Sequence, residues 1–482
     1  MHKGVFDYLK ENIMTQNTKI AEDSVVLTKI KDDETGKKKI IARKITIFTL
    51  ILLAVLFIGS IFAIKTSNFI NSGDLSTINK ADTGFMIISS ILVMLMTPAL
   101  ALFYGGMVRK KNVLGTIMQS FVALGVVSVI WFLYGYSLAF GGDIGNIIGN
   151  FDFVMMKNVS LAPNEGLTIP HQLFFIFQMM FACLTPALIT GAFAERFKFK
   201  SYLFFLILWV TFIYCPLAHW VWGGGWISKI GGLDFAGGLV VHIASGAAAL
   251  ACCIMLGSRK GYKTENMPPH NLTLTFIGLM FLWVGWFGFN AGSALSAGGL
   301  AVTAFINTQL GAASGLLAWI GVEYLHRGKP TVLGGMSGTL AGLVGITPAC
   351  GFVTPVSSIV IGVVTGMICY VLTTFKGFFK YDDSLDVIGI HGTGGIVGSI
   401  LTGIFATVLI NSDGANGLLY GSFKLFGAQV ISTIASIAFA FLGTLLILYI
   451  IDKISGLRVS EFEEMQGLDI SQHGENAYRL QI

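Results

Sequence analysis

Charge is what this sequence has least of. Only 12% of its 482 residues are Asp, Glu, Lys or Arg, against roughly a quarter in an average soluble domain. Apolar residues make up 54%, and the mean hydropathy is +0.75. A water-facing surface cannot be built from that composition. The same scarcity excludes a nucleic-acid binder, which needs a basic face, and a disordered chain, which needs charge. Cysteine is scarce too: Cys183, Cys215, Cys252, Cys253, Cys350 and Cys369 all lie in or at the ends of apolar runs. They show neither metal-ligand spacing nor a disulfide framework, and read as small hydrophobes. No Walker motif, no GxGxxG after a strand, no CxxC and no HExxH occurs, so neither an ATPase nor any cofactor or metal site is expected, and the chain does not read as an enzyme. Alternating strands with aromatic girdles are missing, which argues against an outer-membrane barrel. What is abundant is glycine, 59 residues against ten prolines, and small residues in apolar segments let helices approach closely in lipid. The fold class is an all-α polytopic membrane protein.

A membrane helix needs about 20 mainly apolar residues. Candidates fall near 45–64, 84–107, 113–140, 172–194, 201–218, 238–257, 272–291, 301–322, 332–349, 356–374, 387–410 and 425–451, one early segment followed by eleven more. Lys and Arg set the orientation. Alternate loops of the eleven-span body carry Arg109, Lys110 and Lys111, then Arg196, Lys198 and Lys200, then Arg259, Lys260 and Lys263, then Arg327 and Lys329, then Lys376 and Lys380. The intervening loops hold only Lys157, Lys229 and Lys424. The positive-inside rule therefore starts the body outside and leaves the C-terminus in the cytoplasm of a multi-pass cell-membrane protein. Residues 1–44 carry ten Lys/Arg and seven Asp/Glu and read as a cytoplasmic polar extension. Ile45–Ile64 reads as a retained signal-anchor, with a cleaved signal segment as the alternative. The transmembrane domain then covers 82–455. The polar end, 456–482, reads by composition as a solvated cytoplasmic tail, with a docking segment as the alternative.

Ionisable groups at bilayer depth are costly, so each is a functional candidate. His242 lies in LDFAGGLVVHIASGAAAL and His391 in LDVIGIHGTGGIVGSI. Each follows a Leu-Asp pair, with Asp234 or Asp386, and precedes a run of small residues. By the orientation above the two helices run in opposite directions, as an inverted 5+5 repeat produces, with both histidines near the midplane. Two unrelated core histidines are the competing reading; matched places in opposite halves favour a shared pore. Trp222 stands at an outer mouth near Asp234, where an aromatic face and a carboxylate attract a small cation. By themselves they read as an interfacial tryptophan and a helix cap. Phe181 and Phe289, taken singly, read as packing residues.

The stretches PALALFYGGMVRKKNVLGT, TGAFAERFKF, WGGGW with LDFAGGLVVHI, WVGWFGFNAGSAL, DDSLDVIGIHGTGGIVG and GLRVSEFEEMQGLDISQHGENAY resemble the ammonium transporters of bacteria, plants and fungi, with the Rhesus proteins as cousins. The resemblance runs over residues 82–478 and leaves 1–81 without a counterpart. It implies an eleven-helix core with an inverted five-helix repeat, a pore through each protomer, and a homotrimer. Residue by residue, Trp222, Phe181 and Ser293 resemble an outer ammonium-recruitment site, and Asp234 the buried carboxylate supporting it. Phe181 and Phe289 resemble a stacked gate, His242 and His391 the paired histidines of a hydrophobic channel, and Trp286 an aromatic beside them. The implied activity is recruitment of ammonium, its deprotonation, and conduction of ammonia with or without a proton. The implied partners are ammonium or ammonia, membrane lipid and a PII-type regulatory protein at the tail, with no nucleic acid. Trp222 and the DFAGG stretch favour the ammonium branch over a Rhesus-like gas channel. An ammonium sensor signalling through its cytoplasmic ends is the alternative from another class.

Overall fold

The computed structural model describes residues 73–478 and scattered positions between 4 and 53. Apart from those scattered positions, the expected extension over 1–44 and the hydrophobic segment over 45–64 lie outside the described residues. Eleven apolar helices follow: α1 Lys80–Met107, α2 Lys110–Phe140, α3 His171–Phe193, α4 residues 199–222, α5 Gly238–Leu256, α6 Leu272–Gly292, α7 Gly299–Arg327, α8 Val332–Ile346, α9 Pro355–Thr374, α10 Ile388–Phe405 and α11 Phe423–Ser455. All but α8 are long and apolar enough to cross a bilayer. Two short helices close the chain, α12 Glu461–Gln466 and α13 Leu468–His473.

The helices partition as a bilayer demands. On α11, Leu442 and Leu446 face outward and are exposed, while Gln429, Ser432, Thr433 and Ser436 are buried toward the bundle. Polar groups in lipid must find partners inside the protein, and Gln429 does so twice over, accepting from the Leu233 N–H at 2.7 Å and donating to the Leu233 carbonyl at 2.9 Å. The 15 residues of α8 rise only about 22 Å, short of the roughly 30 Å hydrocarbon core. The chain completes the crossing as buried irregular backbone, and the Asn307 amide from α7 satisfies it, donating to the Cys350 and Val353 carbonyls at 2.8 Å each.

Helices α1–α5 and α6–α10 form the two halves of the repeat. Both α5 and α10 open on a widened π turn, Gly238–Ile243 and Ile388–Gly392 respectively. They cross where Gly246 meets Gly392, so closely that a Cβ on Gly246 would overlap the Gly392 backbone. Such turns rotate the side chains that follow them and are frequent at functional sites.

The loops that carry the expected basic residues gather at one end of the bundle, and there the arginines do more than orient the chain. Buried Glu195 accepts from the Arg109 backbone N–H and Nε at 2.7 Å each. Arg259 grips Asp382 through Nε and Nη2, both at 2.9 Å. Arg196 is fully buried and donates to the carbonyls of Gly257 and Asp382. The chain end is not the solvated tail that composition favours: residues 456–478 are folded onto this same basic end. Asp469 accepts from the Gly115 N–H of α2 at 2.8 Å, Glu464 from the Lys260 N–H at 2.6 Å, and Asn112 from the Leu468 N–H at 2.8 Å. Carboxylates that look solvated in a composition count are here paired with N–H donors of the neighbouring loops.

Candidate functional site

At the opposite end, the C-terminus of α4 places Trp222 beside a turn through Gly224, whose φ of +84° suits glycine. The indole is fixed from behind: Nε1 donates to the Asp234 carbonyl at 2.9 Å. The Asp234 carboxylate is committed to backbone. Oδ1 accepts from the N–H groups of Gly237 and Gly238 at 2.7 and 2.6 Å, and Oδ2 from Leu239 and Val240 at 2.7 and 3.3 Å. It therefore caps the first turn of α5 and, through its own carbonyl, aims the tryptophan. It is 6% exposed and does not line the cavity in front of Trp222.

That cavity, about 480 Å³, is walled by Phe174, Gln178, Phe181, Trp222, Phe235 and Ser293 among others, with Asn164 and Glu165 at its rim. Ser293 donates its hydroxyl hydrogen to the Phe289 carbonyl at 2.9 Å, which leaves its oxygen lone pairs to accept. Trp222 spends its N–H on Asp234 and is left with its ring. Both groups thus suit a cation that carries N–H donors.

From this vestibule a column of rings descends. Trp222 meets Phe181 edge-on with centroids 6.1 Å apart, and Phe181 stacks on Phe289 at 4.3 Å and 28°. Both phenylalanines are buried. Below them, Phe289 lies 6.1 Å from His242, which stacks on Trp286 at 5.4 Å and on His391 at 5.2 Å. The two Nδ1 atoms are 3.2 Å apart. One ring must donate at Nδ1 and the other accept, so the neutral pair consists of opposite tautomers. Nε2 of His242 has no partner among the described residues.

The space around the histidines is lined by Met96, Leu100, Phe103, Leu184, Leu282 and Leu340 with Tyr104 and Trp286, and its free volume is only about 10 Å³, about one water probe. Tyr104 turns its hydroxyl to the Leu188 carbonyl at 2.9 Å and Trp286 its N–H to Thr347 Oγ1 at 2.8 Å. The histidine nitrogens are what remains for a polar guest.

Of the eight residues singled out from the sequence, Phe181, Trp222, His242, Trp286, Phe289, Ser293 and His391 fall along this one column, and Asp234 stands behind it, bound to the Trp222 indole through its carbonyl. The repeat partner of Asp234 is a different residue from the one the Leu-Asp pairs suggest. Asp386, at φ +61°, forms an ion pair with Lys376. Asp383 is the counterpart: its Oδ2 accepts from the Ile388 N–H at the start of α10 at 2.7 Å, as Asp234 does at the start of α5. The signal lies in the spacing, since Asp234 precedes His242 by eight residues and Asp383 precedes His391 by the same eight. Burial pushes the Asp383 carboxyl above the usual carboxylate range, against the pull of the Lys376 ammonium. Sequence reasoning also misses Gln178, which reads as one amide in an apolar run.

Comparison with known proteins identifies the family. The profile of the Ammonium Transporter Family matches residues 84–478. The chain is 52% identical over 400 residues to an ammonium transporter of Bacillus subtilis, covering 83% of this chain and 98% of that protein. Its structure is similar to the crystal structure of Saccharomyces cerevisiae Mep2, with a TM-score of 0.75 at 39% identity over 80% of this chain and 88% of that one. It is also similar to a structure described as Sensor Amt Protein, with a TM-score of 0.75 at 31% identity over 82% of this chain and 98% of that one. On its sequence and on its fold, the chain belongs to the ammonium transporter family.

Proposed function

We propose that ammonium is captured as the ion in the Trp222 vestibule and crosses the bundle as ammonia. Capture uses the Trp222 and Phe181 faces and the Ser293 oxygen, with Asp234 holding the tryptophan and the start of α5. Ammonium gives up one proton above the Phe181–Phe289 pair. The proton returns to vestibule water or follows along His242 and His391, and the neutral molecule passes the rings. Carrying the bare cation through an apolar passage with room for about one water is prohibitive, whereas ammonia needs only the hydrogen bonds that the histidines offer. The supporting observation is the His242–His391 contact of 3.2 Å, with His242 Nε2 left free in an otherwise apolar chamber.

Replacing Trp222 by leucine tests capture. A cation–π contribution of about 0.5–2 kcal/mol corresponds to a rise in the half-saturating ammonium concentration of several-fold, up to roughly thirty-fold. Uptake of radiolabelled methylammonium into vesicles at limiting concentration reads this out. Unchanged uptake assigns Trp222 to the interfacial belt instead.

The same reading puts the basic end in the cytoplasm of a cell-membrane homotrimer, with the docked tail facing a PII-type protein. All six native cysteines are buried, so an impermeant thiol reagent reports introduced ones. Ile147→Cys is expected to react from outside intact cells and Thr264→Cys only after permeabilisation; the reverse pattern overturns the orientation. A sensor reading draws on the likeness to the Sensor Amt Protein, and robust methylammonium flux in vesicles rules it out as the main activity.

A further inference from the structure

Inside the rim residues Asn164 and Glu165, the wall of the vestibule contains a polar side chain that the capture site as described leaves idle. On α3, Phe174, Gln178 and Phe181 follow one another at helical spacing and all line the cavity, because residues four and three apart share a helix face. Between two aromatic rings, on a helix at membrane depth, a glutamine is costly to keep. It is only 8% exposed, and its amide makes no hydrogen bond to any described residue and is not among the buried polar atoms, so it is left to face the vestibule. The exposed remainder opens into the same space as Ser293 and the ring of Trp222.

We propose that Gln178 is a second hydrogen-bond acceptor for ammonium in the vestibule, and that its neutrality matters as much as its oxygen. This rests on the capture reading above. Ammonium entering the cavity loses water from four N–H groups. The Ser293 oxygen replaces one acceptor, the aromatic faces satisfy part of the rest electrostatically, and the Gln178 carbonyl supplies a directed acceptor that rings cannot. An amide holds the ion without pairing its charge. A carboxylate in the same place binds the cation more tightly and stabilises it against losing the proton that the next step removes. The residue thus balances capture against release.

The test uses the full chain in vesicles, with ammonium uptake measured over a range of concentrations. Hydrogen bonds to charged groups are worth enough that Gln178→Leu is expected to raise the half-saturating concentration about ten-fold or more, an effect larger than its effect on the maximal rate. Gln178→Glu is expected to move both values down, with tighter capture and slower turnover. Should the leucine variant fail to reconstitute, Gln178→Met, matched in length, takes its place. If Gln178→Leu or Gln178→Met leaves half-saturation unchanged while Trp222→Leu raises it, Gln178 is only a wall residue and the capture reading stands. If Gln178→Glu raises the maximal rate or leaves half-saturation where it was, the balance between capture and release is wrong. If neither Trp222→Leu nor the Gln178 variants shift half-saturation, the capture reading itself fails.

Discussion

Alanine at His242 or at His391 is expected to lower ammonium-driven flux by about a hundred-fold, the low end of what a positioned proton-transfer group contributes. The double replacement is expected to add little. The two rings share one hydrogen bond at 3.2 Å, and each fixes the other's tautomer, so removing either dismantles the same unit. Residues in one network show such non-additivity, while independent sites give losses that multiply. The measurement is uptake with simultaneous current for wild type, both single variants and the double variant, reconstituted alike. The transported species should change as well as the rate: without the pair, the apolar chamber has no titratable nitrogen contributed by that partner, and a widened cavity admits water. Two normal single variants, or cleanly multiplicative losses, would make these histidines packing residues.

The second large effect is expected at Asp234. Its carboxylate accepts four backbone N–H groups, and each buried donor left unpaired costs about 1–3 kcal/mol. Asp234→Ala should therefore unfold at markedly lower temperature in detergent and transport little. Asp234→Asn separates charge from geometry. One oxygen can still serve Gly237 and Gly238, but the new NH2 confronts the N–H groups of Leu239 and Val240, donor against donor. We expect the asparagine variant to lose both stability and transport, with Trp222 released as the Asp234 carbonyl shifts. An asparagine variant with normal melting and normal half-saturation would show that the carboxylate is not what orders the mouth.

Much of this molecule is legible in its residues alone, for a physical reason. A bilayer demands uninterrupted apolar runs and taxes every charge within them, so helices, loops and the two histidines stand out in a single chain. What hydropathy does not encode is how backbone is satisfied once a helix stops early. The shortness of α8 depends on Asn307, an unremarkable polar residue in the middle of α7 whose amide reaches two carbonyls of the next irregular stretch. The π turns that set His242 and His391 leave no trace in periodicity either. Spacing carries more than local likeness does: Leu-Asp pairs point to Asp386, whereas the eight-residue interval identifies Asp383. Composition misreads the tail because it counts Glu464 and Asp469 as charges and cannot record the Lys260 and Gly115 N–H groups that await them. Arg109 and Arg259 serve topology in the sequence and hold Glu195 and Asp382 in the fold.

In the proposed passage, ammonium enters as an ion and crosses the histidine chamber as ammonia. Potassium offers the most direct test, since it is close to ammonium in size and charge but has no proton to give up. Vesicles holding the full chain should be presented with ammonium and with potassium under the same gradient and voltage, and both fluxes followed. Ammonium transport with no potassium flux, even at saturating potassium, is the expected result. Potassium crossing at a comparable rate would mean that a cation traverses the chamber intact, and would contradict passage as ammonia.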